Sequence, residues 1–172
     1  MSTISVDRHD LALLAELQRD GRITNSALGD KIHLSTSQVS RRIQRLEEAR
    51  VIDRYAAMLD PLVVGLGVMA FINVTLDRHG PARGETFEQA ISGLPEVLDC
   101  FAVTGEADYV LRVVSHDLTS FSQFMMRSLL PIAGVTNVKS NISLKKIKQV
   151  TELPLEHIAQ PAQPKTRVHF AQ

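Results

Sequence analysis

Apolar and polar positions along the chain follow two different periods. Between Asp7 and Arg50 the apolar residues recur every three or four places, the spacing of helices with one buried face, and cap residues punctuate the stretch. Asp7 and Asp10 can open a first helix, with Leu11, Leu14 and Leu17 on one face, that stops at Asp20 and Gly21. Thr24 can cap a second helix, holding Leu28 and Ile32 at i, i+4 and ending near His33. Ser35-Thr36-Ser37-Gln38 then reads as a capping box, in which the serine and glutamine side chains satisfy each other's exposed backbone N–H groups, and it starts a third helix. The buried stripe of that helix is Val39, Ile43 and Leu46; Ser37, Gln38, Arg41 and Arg45 occupy the opposite face, with Arg42 beside them.

After Gly65 the pattern alternates between strand and helix. Strands are expected over 67–76, 97–104, 108–115 and 135–147, and helices over 84–94 and 118–130. Phe87, Ile91 and Leu94 stripe the first of these helices, and Phe121, Phe124, Met125 and Leu129 the second. Two β-α-β units that weakly repeat each other make a ferredoxin-like βαββαβ plan. Val51 to Ala56 reads as a strand leaving the third helix, either a small wing or a connector. The expected architecture is α+β: a winged-type helix-turn-helix domain over 1–54, a hinge strand or linker over 55–65, the ferredoxin-like domain over 66–155 and a flexible tail over 156–172. In the tail, Lys165 and Arg167 can touch phosphate, although a solvated segment is the simpler expectation.

The run Val68-Met69-Ala70-Phe71-Ile72 is apolar at consecutive positions, so both faces of the sheet call for burial, while two helices cover only one. The uncovered face is expected to pack on a second copy, which predicts a homodimer built through the second domain.

Composition narrows the function. The 19 basic residues balance 19 acidic ones, so bulk charge points to no partner, yet Arg41, Arg42, Arg45 and Arg50 outnumber Glu47 and Glu48 around the third helix. A single cysteine, Cys100, excludes an internal disulfide and a thiolate zinc cluster. The most apolar stretch, Leu62 to Ile72, is about half of the roughly 20 residues that span a bilayer. The amino terminus has an acid at Asp7 and no apolar core, so it does not read as a secretory signal. A soluble cytoplasmic protein is expected. The six histidines show no i, i+4 ligand spacing, and no phosphate-binding glycine loop or nucleophile elbow is present, so no catalytic residue, metal or cofactor is expected.

Three short helices with a tight turn before the last form a helix-turn-helix, whose third helix fits the major groove of double-stranded DNA. The candidate DNA-binding residues are Ser35, Thr36, Ser37, Gln38, Arg41, Arg42 and Arg45. Arginine forks match guanine O6 and N7, glutamine can pair two ways with adenine, and hydroxyls reach bases or phosphates. The turn Thr104-Gly105-Glu106-Ala107-Asp108-Tyr109 is readable in two ways. It is a hairpin turn alone, or its backbone N–H groups and the Asp108 carboxylate hold the two ends of a free amino acid.

The stretches D-x-x-D and L-Q-R-D-G-R (Asp7 to Arg22), L-S-T-S-Q-V-S-R-R-I-Q-R-L-E-E-A-R-V-I (Leu34 to Ile52) and G-E-A-D-Y-V-L (Gly105 to Leu111) resemble, in this order, the Lrp/AsnC feast/famine transcription regulators. The resemblance covers about 1–155 and implies the two-domain plan above, dimers that associate further into rings such as octamers, and control by a small-molecule effector, usually an amino acid bound where dimers meet. Carried over, the effector-binding residues are Thr104, Gly105, Glu106, Asp108 and Tyr109, with Val138 and Ser140 on the last strand, where the family often has two hydroxyl residues. Three positions depart from the family pattern: Gly29 replaces a small alanine, and His33 and Arg50 stand where glycines are usual. His33 must then tolerate a left-handed backbone. The siroheme decarboxylases resemble the same family and remain an enzymatic alternative; a protein-interaction module is a third.

Overall fold

The computed structural model describes residues 5–77 and 83–159. Two compact units divide between Ala57 and Met58, and the described residues from Gln149 onward belong with the first.

The first unit is the helix-turn-helix. Helices α1 (Arg8–Arg19), α2 (Asn25–Ile32) and α3 (Thr36–Glu48) start at the expected caps: Asp7 and Ser35 each close a capping box, and Thr24 accepts from the Ala27 N–H. Leu13, Leu28, Ile32, Val39 and Leu46 form the core. The stripe on α1 is rotated from the sequence expectation, because Leu13 rather than Leu11 is fully buried, with Leu14 and Leu17 packed beside it. His33 takes φ 57°, ψ 46° and ends α2 in the left-handed conformation. Gly29 has a steric reason: a Cβ there would collide with the Leu34 carbonyl, whose residue also donates its N–H to the Gly29 carbonyl at 3.0 Å. Its small size lets the turn close against α2.

Residues 53–60 form no strand and lie exposed, and no β-wing accompanies α3 among the described residues. An extended segment becomes a strand only beside a hydrogen-bonding neighbour, and the described residues supply none there. The chain beyond the second unit returns to α1: Leu153 donates its N–H to Gln18 Oε1 at 2.6 Å and accepts from Gln18 Nε2 at 3.3 Å. Residues 149–155, expected in the second domain, therefore pack with the first, and Glu156–Ala159 forms a short helical turn, α6, where a flexible tail was expected. Lys165 and Arg167 lie outside the described residues.

The second unit holds β1 (Val68–Leu76), α4 (Arg83–Ser92), β2 (Val97–Ala102), β3 (Tyr109–Ser115), α5 (Leu118–Phe124) continuing through a π-helical turn to Leu129, and β4 (Val135–Ile142). The sheet is antiparallel in the order β2-β3-β1-β4, the ferredoxin-like arrangement expected. Ala70, Ile72, Val74 and Leu76 alternate inward from β1 and meet Leu111 and Val113 from β3, Phe87 and Ile91 from α4, and Phe121, Phe124 and Leu129 from α5. A bulge at Leu98 shifts the β2 register so that Asp99 pairs with Arg112 and Phe101 with Val110 on the uncovered face. That face exposes Phe71 at 43% and Phe101 at 59%. No helix among the described residues is long and apolar enough to cross a membrane.

Candidate nucleic-acid interface and effector cavity

On α3 the candidate DNA-reading residues divide by what already holds them. Ser35 donates its backbone N–H to Gln38 Oε1 at 2.9 Å, and the Gln38 N–H bonds back to Ser35 Oγ at 3.3 Å. The cap therefore occupies the acceptor oxygen of Gln38 and leaves its amide N–H groups to donate, so two-way pairing with adenine would require opening the cap. Ser37 Oγ lies 3.1 Å from Ser35 Oγ. Thr36, Ser37, Gln38 and Arg41 are exposed, and no ion pair engages Arg41 among the described residues.

Arg42 and Arg45 differ from Arg41. Arg42 Nη1 reaches Asp10 Oδ1 at 2.7 Å and Asp7 Oδ2 at 2.9 Å, and Arg45 Nη2 bonds to Asp10 Oδ2. Asp10 is fully buried, Arg42 keeps 25% of its side chain exposed and Arg45 46%. The bond from the Asp10 N–H, aided by Arg42, holds the Asp7 carboxyl down at about 2. Asp10, and then Asp7, push the Arg42 guanidinium above its ordinary range. Arg42 is thus chiefly a tie between α3 and α1. The sequence carries half of this signal, two acids opening α1 and an arginine-rich α3; which of them meet is decided by the packing of α1 on α3.

In the second unit the 103–108 turn and the uncovered sheet face enclose an open cavity of about 480 Å³. Val103 and Val110 supply its apolar surface, while Thr104, Glu106, Asn73, Thr75, Asn137 and Lys139 supply polar groups. Lys139 Nζ lies 3.8 Å from Glu106 Oε2.

The carried-over effector residues do not all gather there. Thr104 and Glu106 line the cavity, and Gly105 shapes the turn at φ 122°. The Asp108 carboxylate accepts the Leu76 N–H at 2.7 Å, and the Asp108 N–H donates to the Val74 carbonyl at 3.0 Å. Asp108 fastens the turn to β1. Tyr109 turns to the helix side, donating to Glu88 Oε1 at 2.8 Å beside Phe87. Burial first, and Glu88 second, push its phenol up to about 12. Val138 pairs with Val74 and packs on the core, and Ser140 pairs with buried Ile72, so both belong to the helix side of the sheet. Asn137 and Lys139 face the cavity instead. Strand parity is the reason, since a step of one residue crosses the sheet. Counting by twos along Phe71-Asn73-Thr75 would have found the polar wall.

Both architectures have counterparts among known proteins. The AsnC-type helix-turn-helix domain model matches residues 6–47, and the Lrp/AsnC ligand binding domain model matches residues 69–153. The Bkd operon transcriptional regulator of Pseudomonas aeruginosa is 37% identical over 150 residues, covering 87% of this chain and 98% of that protein. The leucine-responsive regulatory protein of Escherichia coli is 32% identical, covering 88% and 92%. A transcriptional regulator of Neisseria meningitidis, solved as a complex with L-methionine, superposes with a TM-score of 0.87 at 41% identity, covering 90% of this chain and 99% of that one. A capped three-helix reader followed by a β2-β3-β1-β4 sheet, matched along nearly its whole length by named regulators, means that the chain belongs to the Lrp/AsnC family of DNA-binding transcriptional regulators.

Proposed function

We propose that this regulator reads double-stranded DNA with the exposed edge of α3 and answers to a free amino acid with an apolar side chain held in the cavity under the 103–108 turn. Thr36, Ser37, the amide N–H groups of Gln38, Arg41 and the outer edge of Arg45 face the groove in this reading; Ser35 caps and Arg42 ties. The chain acts as a dimer joined through the sheet face that exposes Phe71 and Phe101, so that paired readers meet successive half-sites. Dimers assemble further into rings up to the octamer. It is a regulator and not a catalyst, and the regulator names of its relatives favour this over the tetrapyrrole decarboxylase.

The observation that carries the effector reading is the Glu106–Lys139 pair beside Val103 and Val110. Both side chains are largely exposed, so their mutual contact is worth little, and a zwitterion can replace it: its carboxylate against Lys139, its ammonium against Glu106, its side chain on the valines. The names of two relatives, one responsive to leucine and one solved with methionine, fit an apolar ligand.

A thermal-shift screen of the twenty amino acids tests it. Leucine, methionine or a similar residue is expected to raise the melting temperature, since a ligand bound only by the folded state stabilises it, and Glu106→Gln with Lys139→Met should abolish the shift. No shift with any amino acid, or a shift untouched by both changes, contradicts the reading.

A further inference from the structure

We infer that Asp10 is a positioning residue for DNA recognition, its buried carboxylate presetting the guanidinium of Arg45 on the recognition helix so that base preference, and not only folding, depends on it. The inference rests on the reading of α3 as the DNA-facing helix.

Asp10 belongs to α1, yet its side chain is fully buried against α3. Three donors fix its oxygens. Arg42 Nη1 holds Oδ1 at 2.7 Å, while Oδ2 takes Arg45 Nη2 and the Asp7 N–H at 3.0 Å. Arg42 also bonds Asp7 at 2.9 Å, so the two carboxylates balance the two guanidiniums. A buried carboxylate this fully engaged has one orientation available.

The consequence for Arg45 follows from its exposure of 46%. A guanidinium has five N–H donors in a rigid fork, and only one edge is taken by Asp10. The rest remain at the surface with their plane already set. Base-edge reading depends on that plane, because the fork must meet two acceptors at once, whereas a phosphate contact needs little beyond charge. Asp10 thus trades charge for direction: it cancels part of the positive field of α3 and fixes the angle of what is left.

This predicts effects of opposite sign, which a purely structural role would not give. The full-length protein would be titrated with a duplex that the wild type selects from a random-sequence pool, and with a scrambled duplex of equal length, across a salt series. Asp10→Asn removes one negative charge and keeps a group that can complete the α1 cap. Its preference for the selected duplex should fall about tenfold, the scale of one two-point base contact. Binding to the scrambled duplex should hold or tighten, with a steeper salt slope as the freed arginines meet phosphate. An equal loss on both duplexes with an unchanged slope overturns the inference. Should Asp10→Asn fail to fold, Asp10→Glu keeps the charge and moves it by one methylene: reduced preference at unchanged scrambled-duplex affinity is expected, and unchanged preference overturns the inference. Arg41→Ala separates the underlying reading. If it leaves both duplexes bound as before, α3 does not face DNA and the role of Asp10 falls with it; if it weakens them while Asp10→Asn changes nothing, only the positioning role is lost.

Discussion

The helix-turn-helix and the sheet unit divide the labour between folding and recognition in different ways. In the first, side chains proposed to read DNA also hold the fold: Gln38 closes the cap of α3, and Arg45 bonds to buried Asp10. In the second, strand alternation separates the tasks, with Ile72, Val74 and Leu111 packed under the helices while Asn73, Thr75 and Val110 line the cavity. A three-helix reader is too small to keep a dedicated core behind every surface residue, whereas a sheet offers two faces along one strand. Substitutions at Gln38 and Arg45 will therefore mix stability with binding, and those at the residues lining the cavity will not.

The largest effect expected from this contrast lies between two adjacent residues. Ile72→Ala should cost about 2–5 kcal/mol in urea unfolding, because Ile72 is fully buried, whereas Asn73→Ala should stay within about 0.5 kcal/mol and show itself only in ligand response. Similar losses at both positions would break the division. In the first unit a polar residue carries stability too: Arg42→Ala, although Arg42 is partly exposed, should cost about 1–3 kcal/mol, since it leaves Asp10 buried with fewer partners.

Backbone substitutions sharpen the same point on a smaller scale. His33→Gly should stabilise the protein by about 0.5–1 kcal/mol, because the residue sits at φ 57° where glycine carries no Cβ strain. Gly29→Ala should destabilise it despite the better helix propensity of alanine, since the added Cβ meets the Leu34 carbonyl. Thermal unfolding of both variants checks the pair.

Titration distinguishes the units at opposite ends of the pH scale. The folded Asp7 carboxyl is held at about 2 against an ordinary 3.8, so its contribution is complete above about pH 4 and is lost as pH falls towards 2. The folded Tyr109 phenol is raised to about 12 against an ordinary 10.0, so its contribution is complete below about pH 10 and is lost as pH rises towards 12. The stability difference between wild type and Asp7→Asn should shrink only at the acid end, and that for Tyr109→Phe should change only at the alkaline end.

Much of this was legible in the sequence, for reasons tied to local physics. The capping box at Ser35 and Gln38 and the stripe Val39-Ile43-Leu46 are set by residues within one or two turns of each other, whereas the left-handed His33 is implied by the family resemblance, in which a glycine is usual there. The βαββαβ order follows from period changes along the chain. What escaped was non-local. The stretch Val51 to Ala56 has strand-forming residues but finds no strand neighbour among the described residues, and the return of Leu153 to Gln18 joins positions far apart in sequence. The cavity wall escaped for a different reason, because Val138 and Ser140 were carried over without the register that puts Asn137 and Lys139 on the open face. Asp10 was visible as a cap; that it also receives two arginines needs the packing of α1 on α3.

The central claim, that the exposed edge of α3 meets DNA, is tested most directly by Arg41→Ala, because Arg41 alone among Arg41, Arg42 and Arg45 has no ion-pair partner among the described residues. Measured against the selected duplex, the variant should bind about tenfold more weakly, with a shallower salt slope and urea unfolding unchanged to within about 0.5 kcal/mol. Undiminished affinity at an unaltered slope would contradict it.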